Sequence, residues 1–139
     1  MAMATATPKK MGRWKSKRWF NHISIDNIDD VAVYDKNSYD LGSNNSAYGT
    51  HQVKSKKPNS LGIYDMAGNV YEWCNDWYAS DYYENSPSNN PQGPYSGSDR
   101  VLRGGSWLIS ANYCRVAYRS DNDPDFRDDF DGLRLALVP

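Results

Sequence analysis

Asp121, Asp123, Asp125, Asp128, Asp129 and Asp131 crowd carboxylates into one short stretch near the C-terminal end of the chain. Hard oxygen donors at that density are the chemistry of calcium binding. The stretch is not an EF-hand loop, because Phe126, Arg127 and Phe130 interrupt it and no Glu closes it. A Ca²⁺ site here is therefore kept as an alternative reading, and no other residue pattern requires a cofactor. Cys74 and Cys114 form neither a disulfide framework nor a zinc-ligand spacing. Each reads as a small buried hydrophobe, with a single Cys74–Cys114 bridge as the alternative. His22 and His51 stand far apart, read as surface residues, and support no Ser-His-Asp set.

The frame that must position these residues is one domain: 139 residues suffice for a core. A net charge of −1 gives no overall nucleic-acid footprint. Lys9 to Arg18 is locally basic, with Trp14, Trp19 and Phe20 in or beside it. We read residues 1–30 as a partly ordered leader whose aromatics dock on the domain, in preference to a phosphate-binding arm. No apolar run is long enough to span a membrane, and Met1 to Thr7 lacks the signal-peptide pattern. Location is thus unknown from these residues. Helical periodicity is not sustained anywhere. Strand-like pieces at Val31–Tyr34, Val70–Trp73, Val101–Leu102 and Leu133–Leu137 alternate with turn-rich stretches. Asp81 to Asp99, with Pro87, Pro91, Gly93, Pro94 and Gly97, reads as a surface loop.

Three blocks carry the fold. In Asn59-Ser-Leu-Gly-Ile-Tyr-Asp-Met-Ala-Gly-Asn-Val-Tyr-Glu-Trp-Cys-Asn-Asp-Trp-Tyr78, Gly62 and Gly68 suit positive φ or close backbone approach. Tyr71, Trp73 and Trp77 follow at strand spacing. Arg103-Gly-Gly-Ser-Trp107 lets a backbone pass beneath a large aromatic, and Gly132-Leu-Arg-Leu-Ala-Leu137 alternates near the terminus. We expect Trp73, Trp77 and Trp107 to be buried, and Arg103, Arg115, Arg119 and Arg134 to pair with carboxylates or carbonyls of the scaffold. Together with Cys114-Arg-Val-Ala-Tyr-Arg119, these blocks resemble the formylglycine-generating-enzyme-like (sulfatase-modifying-factor) branch of the C-type lectin fold, from about Val31 to Leu137. The resemblance implies an α+β domain over residues 31–139, with a small twisted β core and much irregular loop. Its members are usually longer and open differently from Met1 to Asp30; either this domain is minimal or a partner covers what is missing.

The resemblance also bears on chemistry. Oxidase members use two cysteines after Gly-Gly-Ser-Trp, with copper at the pair, whereas this chain runs Leu108, Ile109, Ser110, Ala111, Asn112, Tyr113 before the lone Cys114. Sulfoxide-synthase members need clustered histidines, which His22 and His51 do not provide. The chain therefore reads as non-enzymatic.

From Leu108 onward there is no Lys, Glu, Gln, Met or Trp, although Lys is used freely before it. Asp also outnumbers Glu earlier, so the missing Lys carries more of the signal. This composition resembles the variable region of proteins diversified by retroelements through adenine-directed mutagenesis. There, AAY codons change at their adenines, and the pyrimidine third base forbids those five residues. The candidate ligand-binding positions are Leu108, Ile109, Ser110, Asn112, Tyr113, Tyr118, Ser120, Asp121, Asn122, Asp123, Phe126, Asp128, Asp129, Phe130 and Asp131, all reachable from AAY. Between them stand frame residues such as Ala111, Cys114 to Ala117, Arg119, Pro124, Asp125, Arg127 and Gly132. The variable region is thus 108–131, a receptor- or adhesin-like binding surface within the domain. Tyr113, Tyr118, Phe126 and Phe130 would be aromatic anchors, with core burial as the competing reading. Leu108 and Ile109 would add an apolar patch, and the aspartates would favour basic or polyhydroxylated targets. The partner would be a protein or glycan on another cell or particle, with no nucleic acid and no membrane insertion; surface or virion display follows from the resemblance alone. The runner-up is an undiversified structural or carbohydrate-binding module of the same fold.

Overall fold

A computed structural model describes residues 28–136. The leader assigned to residues 1–30, with Trp14, Trp19, Phe20 and His22, lies almost wholly outside the described residues, as do Leu137 to Pro139. Regular structure is sparse. A short helix α1 (Ile28–Val31) leads into strand β1 (Ala32–Val33), which pairs in parallel with β2 (Ala67–Gly68). The main sheet has four strands in the order β5-β4-β3-β6, comprising β3 (Tyr71–Trp77), β4 (Arg100–Arg103), β5 (Ser120–Asn122) and β6 (Asp131–Gly132). β3 and β4 are antiparallel, as are β4 and β5, while β3 and β6 are parallel. A short helix α2 (Tyr82–Asn85) and single 3₁₀ turns fill the connections. This is the expected α+β architecture of small sheets and irregular loop. No helix among the described residues is long and apolar enough to cross a membrane.

β3 and β4 form where Tyr, Trp, Val and Leu favour extended backbone. A register shift between Trp73 and Trp77 breaks the alternation of faces along β3. Tyr71, Cys74 and Asp76 are buried as a result, whereas Trp73 and Trp77 are only half-buried. The expectation that all three tryptophans are buried holds for Trp107 alone. Trp107 sits against Tyr48 and Tyr39, with ring centroids 5.0 and 5.9 Å away. A further strand expectation shifts in register: the pairing with β3 involves Asp131–Gly132, while of the expected Leu133–Leu137 only Leu135 makes an isolated bridge and Leu137 lies outside the described residues. Leu133 and Leu135 are exposed, so their alternation does not mark a buried face.

The core is small. Ala32, Tyr34 and Cys114 form one buried cluster with Ile28, Ala67 and Ala111 packed around it. Val101 and Leu102 are buried on β4. Cys74 and Cys114 are free thiols, so the alternative of a bridge is set aside, and burial pushes each up to about 11.

With so little apolar volume, backbone contacts do much of the organising. Gly68 has φ 71°, and a Cβ there would lie 2.0 Å from the Val33 carbonyl oxygen. Gly105 has φ 81°, and a Cβ there would lie 2.8 Å from Cys114 Sγ. Gly105 therefore passes against the Cys114 turn, while a Cβ at Gly104 would lie near the Met66 and Val70 carbonyls. Gly62 also has positive φ, 75°, but its Cβ would meet nothing within 4 Å. Gly68→Ala should lower stability by more than about 2 kcal/mol through strain and clash together, and Gly62→Ala by about 1 kcal/mol through strain alone. Thermal denaturation of the two variants checks this; equal losses would mean that the Gly68 approach relaxes easily.

Candidate functional site

The segment 108–131 leaves the Gly-Gly-Ser-Trp bend, makes a 3₁₀ turn at Ala111–Cys114, adds β5 to the sheet and returns to β6. Its backbone is held by the scaffold at regular intervals. The Asp35 amide donates to the Ile109 carbonyl at 3.0 Å, and the Tyr71 amide to the Phe130 carbonyl at 2.7 Å. Arg103 Nη1 donates to the carbonyls of Val116 and Tyr118 at 3.1 and 3.0 Å, while its Nη2 donates to the Tyr83 hydroxyl at 2.7 Å. Arg115 donates to the Asn112 carbonyl. Arg119 donates to the Ala79 carbonyl and lies over the rings of Tyr78 and Tyr83. β5 is paired residue for residue with β4: Leu102 with Ser120, Val101 with Asp121, Arg100 with Asn122.

Arg134 joins the far end. It pairs with Glu72 at 2.7 Å and donates to the carbonyls of Tyr64 and Asp65. All four arginines expected to be scaffold thus bind scaffold or loop atoms. Their planar forks suit carbonyl and carboxylate oxygens in a way Lys cannot reproduce.

The candidate side chains fall into three groups. Asn112, Tyr113, Asp121, Asp123, Phe126, Asp128 and Asp129 are exposed. Ser110, Tyr118, Ser120, Asn122, Phe130 and Asp131 are half-buried. Leu108 and Ile109 are half-buried too, because they directly follow buried Trp107, so the apolar patch expected there is partly covered. Among the aromatics, Tyr113 and Tyr118 meet edge to face at 4.9 Å, and Phe126 and Phe130 pair at 6.3 Å. The structure therefore brings the rings together in two local pairs, one following the 3₁₀ turn and one preceding β6.

Two of the six aspartates are spent on local turns. Asp123 accepts from the Asp125 amide, and Asp128 from the Asp129 amide, as short polar side chains do in turns. Among the described residues, no three His, Cys, Asp or Glu side chains are grouped to hold a metal ion. His51, expected at the surface, is half-buried and fixed: its amide donates to the Asn69 side chain, and its ring meets the Ala47 carbonyl at 2.9 Å.

Asp131 stands apart. Both its carboxylate oxygens are shielded from solvent with no hydrogen-bond partner among the described residues. Burial, and then the nearby Asp128, raise its pKa. A raised carboxyl contributes stability that is full below the unfolded value and is lost as pH rises through the folded one. Asp131→Asn should therefore raise the melting temperature at neutral pH, and the gain should vanish below about pH 3.5, where both states are protonated. A gain that persists unchanged in acid would mean that the carboxylate charge is not the cost.

Two clefts open elsewhere. One of about 470 Å³ is lined by Val53, Ile63, Tyr64, Leu133 and the Arg134–Glu72 pair among others. A second, of about 360 Å³, is lined by Asn75, Trp77, Gln92, Gly93, Pro94, Tyr95 and Arg100. None of the candidate positions in 108–131 lines either cleft. Sequence reasoning missed the second one, although Tyr95, an aromatic beside Pro94 in an otherwise polar loop, was the available signal.

The family model described as the sulfatase-modifying factor enzyme 1-like domain matches residues 3–138, and the chain belongs to that family. Among characterised relatives, the formylglycine-generating enzyme of Streptomyces coelicolor is 39% identical over 131 residues, covering 90% of this chain and 36% of the enzyme. Treponema denticola variable protein 1 superposes with a TM-score of 0.62 at 43% identity, over 79% of this chain and 37% of that one. PvdO from Pseudomonas aeruginosa gives 0.61 at 30% identity, over 75% and 38%. The chain spans little more than a third of the length of each. The fold implied by the motifs is the fold present, and both an enzyme and a variable protein stand among its relatives.

Proposed function

We propose that this domain is a non-enzymatic ligand-binding protein whose residues 108–131 form a diversified binding surface, altered by adenine-directed retroelement mutagenesis. The observation that carries this reading is where the scaffold grips the segment. Contacts from Asp35, Tyr71 and Arg103 reach the carbonyl oxygens of Ile109, Phe130, Val116 and Tyr118, atoms that every residue type supplies. The side chain at such a position can change while its main-chain anchor stays. Side chains presented from a rigid frame are how variable binding loops work in general. The resemblance to Treponema denticola variable protein 1 supports the same reading.

Catalysis has little support in these residues. After Gly-Gly-Ser-Trp only Cys114 follows, and it and Cys74 are buried thiols held up at about 11, far from the thiolate state at neutral pH. A redox pair or a two-thiolate copper site needs two accessible sulfurs in that segment. The second reading, an undiversified binding module, remains the alternative if the coding positions prove uniform.

Exposed Tyr113 and Phe126 would be binding anchors, and Trp107 structure. Tyr113→Ala and Phe126→Ala should each cost less than about 1.5 kcal/mol, against about 3–5 kcal/mol for Trp107→Ala. A library randomised at the candidate positions should stay folded in most members and yield binders to an arbitrary protein target in display selection. Collapse of most members, or core-sized losses at Tyr113 and Phe126, would contradict the proposal.

A further inference from the structure

The cleft between β3, the end of β4 and the loop at 92–95 has the makings of a second site. Its floor is rigid. Arg100 lies over the Trp77 ring, 3.5 Å from the centroid, and its Nη1 is held by the Asn75 carbonyl. Gly97 closes on Trp77 so tightly that a Cβ there would lie 3.1 Å from the Trp77 Cβ. The Gly93 amide donates to the Tyr82 hydroxyl at 3.0 Å, which fixes the loop from its other side.

Its polar groups are unspent. Among the described residues, Arg100 Nε and Nη2, both ends of the Asn75 side-chain amide and the Gln92 carbonyl oxygen take part in no hydrogen bond; Gln92 uses only its amide nitrogen, on the Asn90 carbonyl. Beside them Tyr95 is fully exposed at 101%, so its ring offers an open apolar face. The volume of about 360 Å³ falls in the range of small-molecule sites, about 300–1,000 Å³.

We propose that this cleft binds a neutral saccharide, with Tyr95 as the stacking platform and Asn75, Gln92 and Arg100 contacting its hydroxyls. Hydroxyl groups donate and accept at once, which matches a wall that mixes free donors with free acceptors. An anion would use only the donors. The binding needs no metal, since no carboxylate takes part. The site sits next to β5, because Arg100 pairs with Asn122, yet it uses none of the residues 108–131. It therefore stands or falls independently of the diversification reading.

The test is an array of neutral and uronic-acid-containing oligosaccharides, screened in the presence of EDTA and followed by calorimetry on any hit. Binding of a neutral oligosaccharide is expected. Tyr95→Ala and Gln92→Ala should each weaken it by about tenfold or more, with unchanged melting temperatures because both side chains are exposed. Tyr113→Ala and Phe126→Ala should leave it intact. No hit on the array, hits confined to acidic sugars, or loss of binding through Tyr113 and Phe126 but not Tyr95 would overturn the proposal.

Discussion

Three stretches of chain converge on the dipeptide Gly68–Asn69, and the rest of the fold hangs from that junction. The Gly68 amide donates to the Gly104 carbonyl at 2.8 Å, and the Asn69 amide to the Val33 carbonyl at 2.7 Å. The Trp107 amide returns to the Asn69 carbonyl at 2.9 Å. The Asn69 side chain closes the set by bonding both the amide and the carbonyl of His51. Each partner must come within backbone contact distance, which demands positive φ at Gly68 and at Asn69, 71° and 68°. Asn tolerates that conformation better than most residues because of its short polar side chain. Paired backbone groups are what make so irregular a chain tolerable when little of it is regular structure.

From this junction the proposed binding surface follows. The Gly104–Trp107 bend, pinned by Gly68 and Asn69, launches the segment 108–131; the Cys114 turn settles onto Gly105, and Tyr71 and Arg103 collect the returning chain. Most of these restraints act on main-chain atoms. A segment secured in that way can carry Leu, Tyr, Asp or Phe at a given position without a matching change in the scaffold. Stability rests in the frame, and under the proposed function the exposed side chains are left to recognition.

Much of this was legible in the residues. Gly62 and Gly68 marked positive φ, the Tyr71 to Trp77 spacing marked the central strand, and the arginines marked carbonyl and carboxylate contacts. The misses have physical causes. A register shift in β3 turns Trp73 and Trp77 partly outward, which spacing alone does not reveal. Leu133 and Leu135 alternate like a strand, yet the pairing with β3 falls two residues earlier, at Asp131 and Gly132. The cleft at Tyr95 and Arg100 joins residues about twenty apart with no shared motif, and only the folded chain brings them together. The density of carboxylates at Asp121 to Asp131 is visible in a sequence, whereas the local amide contacts of Asp123 and Asp128 are not.

The central claim is that residues 108–131 vary while their frame does not. Deep sequencing of this coding region and its flanking DNA in a natural population tests it most directly. The account predicts substitutions confined to AAY-derived codons at the candidate positions, with a near-copy of the segment rich in AAY close by. Uniform codons throughout 108–131 and no such template would contradict it.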